Sequence, residues 1–179
     1  MKKLVILLSL FALNSCVVST ATKIVKTTTK VAYKTVKGTV NGISWAVKKA
    51  EGKININQLN GDWKVVGVYK SSYDDILKNG KSENIYQATC EANDILSFKT
   101  KKDKYKPVHC STTDADWEKY KFDFGKNPET KERENYLELN KSTYISIINV
   151  DDKSLILEGN LIPSYAFSGA KVYLLEKVK

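Results

Sequence analysis

The residues with the most evident chemistry are three cysteines and a single histidine. His109 directly precedes Cys110, and a histidine close to a cysteine can activate it as a thiolate nucleophile. A catalytic thiolate also needs a base in space and an electropositive setting, and no motif around this pair supplies either. The sequence also lacks a glycine-rich phosphate loop, a Gly-x-Ser-x-Gly elbow and paired zinc-ligand spacing. We therefore expect no catalytic residue, no metal site and no cofactor, and a protein that is not an enzyme.

Cys16 follows a segment that is typical of export. Two lysines precede an apolar run from Leu4 to Leu13. This run is too short to cross a bilayer core of about 30 Å as a helix, but it has the length of the apolar region of a signal peptide. The next residues, Leu13-Asn14-Ser15-Cys16, resemble a bacterial lipobox. The resemblance implies cleavage before Cys16 and acylation of this cysteine, for example with palmitate. The alternative is an ordinary signal peptide in which Cys16 is incidental.

Acylation would fix the mature protein to a membrane. Each buried acyl methylene contributes about 0.8 kcal/mol, so several chains hold a protein there stably. Cys16 is followed by Val17 rather than aspartate, which in lipoproteins of two-membrane bacteria implies the outer membrane. We expect residues 1–15 to be a signal peptide. The mature protein is then exported and lipid-anchored to the cell envelope, at the outer membrane.

Two cysteines, Cys90 and Cys110, remain once Cys16 is acylated. An even pair in an exported protein favours a disulfide. This bridge would close a loop of about 20 residues and contribute about 3 kcal/mol in the chain-entropy model. The alternative is two free thiols.

The formal net charge of +9 at first suggests a nucleic-acid partner. However, the whole basic excess lies in residues 1–53, and residues 54–179 are electrically neutral. The charge therefore belongs to an appendage rather than to a basic domain. For this reason, and because the protein is expected to be exported, we expect no nucleic-acid partner.

The spacing of lysines between residues 21 and 51 predicts a helix, although many β-branched residues occur there. Five lysines recur every three or four residues: Lys23, Lys26, Lys30, Lys34 and Lys37. A stripe of apolar residues lies roughly 120° away around the helix axis. We expect residues 16–56 to form a lipid-anchored basic amphipathic helix whose lysines contact anionic headgroups on the membrane surface. The alternative is that its apolar stripe packs on its own domain.

Short alternating segments separated by turn residues predict about eight antiparallel strands in residues 57–179. The segments are Trp63–Tyr69, Ile95–Lys99, Tyr105–Cys110, Trp117–Phe124, Tyr136–Leu139, Tyr144–Val150, Ser154–Glu158 and Val172–Leu175. The longest gap between them, residues 70–84, has room for a short helix around Tyr73–Leu77 or for a lid. Eight up-and-down strands are enough to close into a small barrel, which removes exposed edges. The alternative is a two-sheet sandwich.

Two blocks of this domain carry a family resemblance. Leu59–Val66, with Gly61 and Trp63, resembles the glycine-x-tryptophan opening of lipocalins. The block from Cys90 to Phe98, followed by Tyr105 and Cys110, is similar to the bacterial lipocalin-like domain family. The resemblance covers about residues 57–178.

The resemblance implies a mainly β fold, an antiparallel lipocalin-like β-barrel preceded by the N-terminal helix. Gly61 and Trp63 would form its base motif, with the tryptophan closing one end. Lipocalins often carry a late arginine that stacks on this tryptophan, and here Lys171 or Lys177 would substitute for it.

The inward side chains of such a barrel either fill its core or line a cavity for an apolar ligand. The candidate ligand-binding residues are Phe98, Tyr120, Phe122, Phe124, Ile145, Ile147, Leu155 and Tyr173. We expect a membrane-anchored lipocalin-like lipoprotein that binds a small hydrophobic molecule in its barrel. The alternative is a non-enzymatic structural or protein-interaction module of the envelope with a filled β-domain.

Overall fold

A computed structural model describes residues 39–40, 43–44, 49–79, 82–88, 94–110, 115–163, 169 and 171–179. The described chain is mainly β. Within these ranges, no helix combines the length and apolarity that crossing a bilayer would require. The candidate acylation site Cys16, the predicted disulfide residue Cys90 and the five lysines of the predicted helix lie outside the described residues.

The predicted helix over residues 21–51 does not continue through its C-terminal part. Strand β1 (Thr39–Val40) pairs with β2 (Ile43–Ser44) in an antiparallel ladder, and residues 49–51 are not helical. The sequence between the two strands is Asn41-Gly42, the strongest short signal for a hairpin. Here that local signal and the β-branched residues outweigh the helical spacing of the lysines.

Eight antiparallel strands form one sheet that closes into a barrel. They are β3 (Gly61–Tyr69), β4 (Asp94–Lys99), β5 (Lys104–Cys110), β6 (Glu118–Lys126), β7 (Arg133–Leu139), β8 (Thr143–Val150), β9 (Ser154–Glu158) and β10 (Val172–Lys177). Each strand pairs with the next in the chain, and β10 pairs with β3 to close the ring. The predicted mainly β fold with about eight antiparallel strands is confirmed, and the closed sheet contradicts the two-sheet sandwich.

The main core lies on the inner face of this sheet. Its members come from all eight strands of the barrel, because every second residue of a strand points inward. They include Trp63, Val65, Leu96, Phe98, Tyr105, Tyr120, Leu137, Ile145, Ile147, Leu155, Leu157, Tyr173 and Leu175. A second, smaller core lies on the outer face of β3, β8, β9 and β10.

The short helix α1 (Tyr73–Asn79) covers this outer core. It begins at Tyr73 because Ser72 caps it, with the backbone N–H of Asp75 donating to Ser72 Oγ at 3.2 Å. Tyr73 and Ile76 are its buried residues. The sequence prediction of a short helix in this gap is confirmed.

The two ends of the barrel differ in their connections. At one end, strands are joined by residues 100–103, 127–132 and 151–153. At the other, residues 70–93 and 159–171 form much longer connections. The chain enters at the first end, where Ile54 and Ile56 pack against the inner core and Leu59 is fully buried. We call this the closed end and the other the open end.

The entering segment is held by a buried carboxylate on β7. Glu134 is 4% exposed, and its Oε1 accepts hydrogen bonds from Thr130 Oγ1, Asn127 Nδ2 and Ser146 Oγ at 2.6, 2.7 and 2.8 Å. Lys49 Nζ lies 2.9 Å from Oε2. Burial by itself raises the pKa of Glu134, but the bonds from Thr130, Lys49 and Ser146 outweigh it and lower the pKa below its usual value.

We predict that Glu134→Gln destabilises the fold by about 2 kcal/mol near neutral pH, because Lys49 loses its buried charged partner. The carboxylate has a lowered pKa in the folded state, so its stabilising effect is complete above the unfolded value of about 4.3 and is lost as the pH falls through the folded value. Urea unfolding of both proteins across this pH range should show the difference shrinking in acid.

The control is Glu132→Gln, because Glu132 lies 3.3 Å from the same ammonium but its side chain is 62% exposed. We expect this exposed pair to contribute less than about 1 kcal/mol. Equal losses for the two variants would contradict the role assigned to Glu134.

Candidate functional site

The closed end is sealed around Trp63. This side chain is fully buried, and its Nε1 donates to the carbonyl oxygen of Leu59 at 2.7 Å. Lys177 Nζ lies 4.2 Å from the centre of the indole ring, so Lys177 and not Lys171 takes the place expected for a stacking cation. The same ammonium donates to the carbonyl oxygens of Gln58, at 3.3 Å, and Asn60. Burial lowers the pKa of Lys177.

Gly61 allows this seal for two reasons. Its φ of +109° is a conformation that side chains with a Cβ rarely adopt. A Cβ at this position would also lie 3.3 Å from Lys177 Cε. The predicted base motif thus has a local structural role: the glycine provides room for the lysine that covers Trp63.

The structure brings most of the predicted ligand-binding residues together inside the barrel. The buried ones are Phe98, Tyr120, Ile145, Ile147, Leu155 and Tyr173. Phe122 is partly buried against them. Phe124 is also partly buried, and Arg133 lies 5.0 Å from its ring centre. The buried side chains contact one another, so much of the interior is filled.

Three of the aromatic rings form a cluster. Phe98 lies 5.6 Å from Tyr120 in an edge-to-face arrangement, and Tyr105 lies 6.4 Å from each of the other two. Tyr105 was not among the predicted site residues. Its inward position follows from its pairing opposite Phe98, which the sequence alone does not specify.

A cleft lies beside the seam between β5 and β6. These strands share only the pairs Lys104↔Lys119 and Tyr105↔Glu118, whereas β6 and β7 pair along their length. The cleft has a volume of about 780 Å³. Its described lining residues are Lys102, Asp103, Glu118, Lys119, Tyr120, Lys121, Glu138, Asn140 and Lys141. We call it the seam cleft, and Tyr120 belongs both to its lining and to the aromatic cluster.

The hydroxyl group of Tyr120 is buried and has no hydrogen-bond partner within the described chain. By contrast, Tyr105 donates to Glu118 Oε2 at 3.0 Å. Burial, with a further contribution from Asp103, raises the pKa of Tyr120 to about 12. The hydroxyl therefore stays protonated and can both donate and accept a hydrogen bond. Since an unpaired buried polar group costs about 1–3 kcal/mol, this atom is suited to the polar group of a ligand.

His109 and Cys110 do not form a nucleophilic pair in the structure. Cys110 is part of a disulfide, so its sulfur is not available as a nucleophile. Its neighbour His109 has Nδ1 2.8 Å from the carbonyl oxygen of Pro107. Across the described ranges, no group of three or more histidine, cysteine, aspartate or glutamate residues could hold a metal ion.

Comparisons of the chain with protein-family models, with curated proteins and with solved structures find no match. Membership of a lipocalin-like family therefore stays a prediction from the residues quoted above.

We predict that two tyrosine variants of the aromatic cluster differ in their effect on the free energy of unfolding. Tyr120→Phe removes an unpaired hydroxyl and should leave the free energy of unfolding unchanged or raise it by about 1 kcal/mol. Tyr105→Phe removes a bond to a carboxylate and should lower it by about 1–2 kcal/mol. Urea unfolding of the ligand-free protein measures both changes. A large loss of stability in Tyr120→Phe would mean that its hydroxyl has a partner in the folded protein.

Proposed function

We propose that this protein is a membrane-anchored lipocalin-like lipoprotein that binds a small hydrophobic molecule bearing one polar group. The observation that carries the proposal is Tyr120, a residue that lines a cleft of about 780 Å³ and has a buried, unpaired hydroxyl. A ligand site combines apolar surface with a few placed polar groups that fix the orientation, and in the described lining of this cleft the apolar surface is the ring of Tyr120. The cation on Trp63 and the closed eight-stranded sheet support the lipocalin-like part of the proposal.

Binding would require no chemical step. The hydrophobic part of the ligand leaves water and contacts the ring of Tyr120, which packs against Phe98 at 5.6 Å. This burial contributes about 25 cal/mol for each Å² of apolar surface. The polar group bonds to Tyr120, whose raised pKa keeps its proton in place. The seam between β5 and β6, which is held by two residue pairs, is where the sheet can open most easily to admit it.

A second candidate function is a filled β-domain that serves as a structural or protein-interaction module of the envelope. It is favoured by Ile145, Leu155 and Tyr173, which are 0% exposed because neighbouring side chains cover them. In this function the seam cleft is part of the surface and the interior takes no ligand.

Ligand binding predicts that a small molecule copurifies with the full-length protein from its own host, which native mass spectrometry would detect. It also predicts that 1-aminoanthracene, an apolar probe with one amine, binds with increased fluorescence. Tyr120→Phe should weaken probe binding about 5- to 10-fold, since one hydrogen bond contributes about 1 kcal/mol. Tyr144→Phe, on the outer face of the barrel, is the matched control. Absence of both a copurifying molecule and probe binding would favour the filled module.

The anchor is proposed on the lipobox residues ending in Cys16. Cells grown with an alkyne analogue of palmitate should label the wild-type protein, and Cys16→Ser should abolish the label. Cys90→Ser should retain it. Label retained in Cys16→Ser, or absent from the wild type, would show that Cys16 is not acylated.

A further inference from the structure

The turn between β4 and β5 brings three lysines together at the closed end of the barrel. Lys99, Lys101 and Lys102 line a cavity of about 450 Å³. The remaining described lining residues are Asn57, Asn60 and Thr100, so none of them carries a carboxylate. We call this feature the lysine cradle. The sequence contains the lysines, but their position beside residues 57–60 depends on the closed sheet.

The cradle is built from two chain segments that are bonded to each other. Thr100 is buried, and its backbone N–H donates to Asn60 Oδ1 at 3.3 Å. Its hydroxyl donates to Asn57 Oδ1 at 3.4 Å. Lys99 Nζ lies 3.9 Å from the ring centre of Trp117. These contacts fix the backbone that carries the charges, although the lysine side chains themselves are exposed.

The three lysines of the cradle form no ion pair with a carboxylate of the described chain. Within that part of the chain, ion pairs form at Lys49 and Lys121 instead. Three lysines that line one concave surface produce a local positive potential that favours an anion carrying several oxygens. A phosphate group has this chemistry.

We propose that the lysine cradle docks the closed end of the barrel onto an anionic membrane by binding the phosphate headgroups of its lipids. Charge complementarity favours this partner, because a membrane surface presents many phosphates at once and each nearby lysine contributes about 1 kcal/mol. The end at which the chain enters the barrel also favours a membrane as the partner. Ile54, Ile56 and Leu59, which follow the candidate anchor Cys16 in the sequence and precede β3, pack into the barrel at this end.

The test compares two double variants of the full-length chain in a Cys16→Ser background, so that acylation plays no part. Lys101→Gln/Lys102→Gln removes two charges from the cradle. Lys70→Gln/Lys78→Gln removes two exposed charges near the open end and leaves the N-terminal lysines unchanged. Flotation with phosphatidylcholine vesicles, with and without phosphatidylglycerol, measures binding. We expect the cradle variant to bind the anionic vesicles about 10- to 30-fold more weakly than the control variant.

Equal binding by the two double variants would overturn the proposal, because total charge rather than the cradle would then determine binding. Circular dichroism confirms that both variants fold. Glycerol phosphate, titrated against the lipid-free protein, tests for a soluble ligand instead. Saturable binding that is as tight as binding to vesicles and is lost in the cradle variant would also overturn membrane docking. Neither measurement depends on a ligand in the barrel.

Discussion

The pairing of β10 with β3 is the contact on which the rest of the structure depends. It turns an eight-stranded sheet with two exposed edges into a ring with none. Its register also places Lys177 opposite Trp63, the residue whose ring it covers. The last strand therefore closes the wall and contributes to sealing one end at the same time. An enclosed interior exists only because the final strand of the chain returns to the first strand of the sheet.

Buried polar groups in this barrel fall into two kinds. Glu134 Oε1 accepts three hydrogen bonds and Oε2 forms an ion pair with Lys49, so this network connects the entering chain to β7 and β8. The Tyr120 hydroxyl is equally inaccessible but unpaired within the described chain. A fully paired group stabilises the fold, whereas an unpaired one costs free energy unless a bound molecule supplies the missing hydrogen bond. Of these two groups, the Tyr120 hydroxyl is therefore the one that a ligand can bond.

The strands of the sheet could be predicted from the sequence, but most of the geometry of the candidate site could not, and the reason is physical. Alternation of inward and outward side chains is a property of single strands, so segments such as Tyr144–Val150 could be identified one at a time. The seam cleft and the lysine cradle depend on which strands become neighbours and how far each ladder extends. Nothing local to Tyr120 indicates that its hydroxyl lacks a partner. In the C-terminal part of the helix predicted over residues 21–51, β1 pairs with β2 instead, because the sequence signal of Asn41-Gly42 and the β-branched residues outweigh the lysine spacing there.

Lys102 connects the two proposed sites, since it lines both the lysine cradle and the seam cleft. If the cradle contacts lipid headgroups, the mouth of the cleft lies beside the same membrane surface. A hydrophobic molecule moving between bilayer and barrel then crosses little water, and the apolar surface that it buries against Tyr120 replaces apolar surface lost in the bilayer. The free-energy difference between the two locations is correspondingly small, so the single hydrogen bond offered by Tyr120 can decide which molecule is retained. In this arrangement the selectivity of the barrel comes from a polar atom, although most of the contact is apolar.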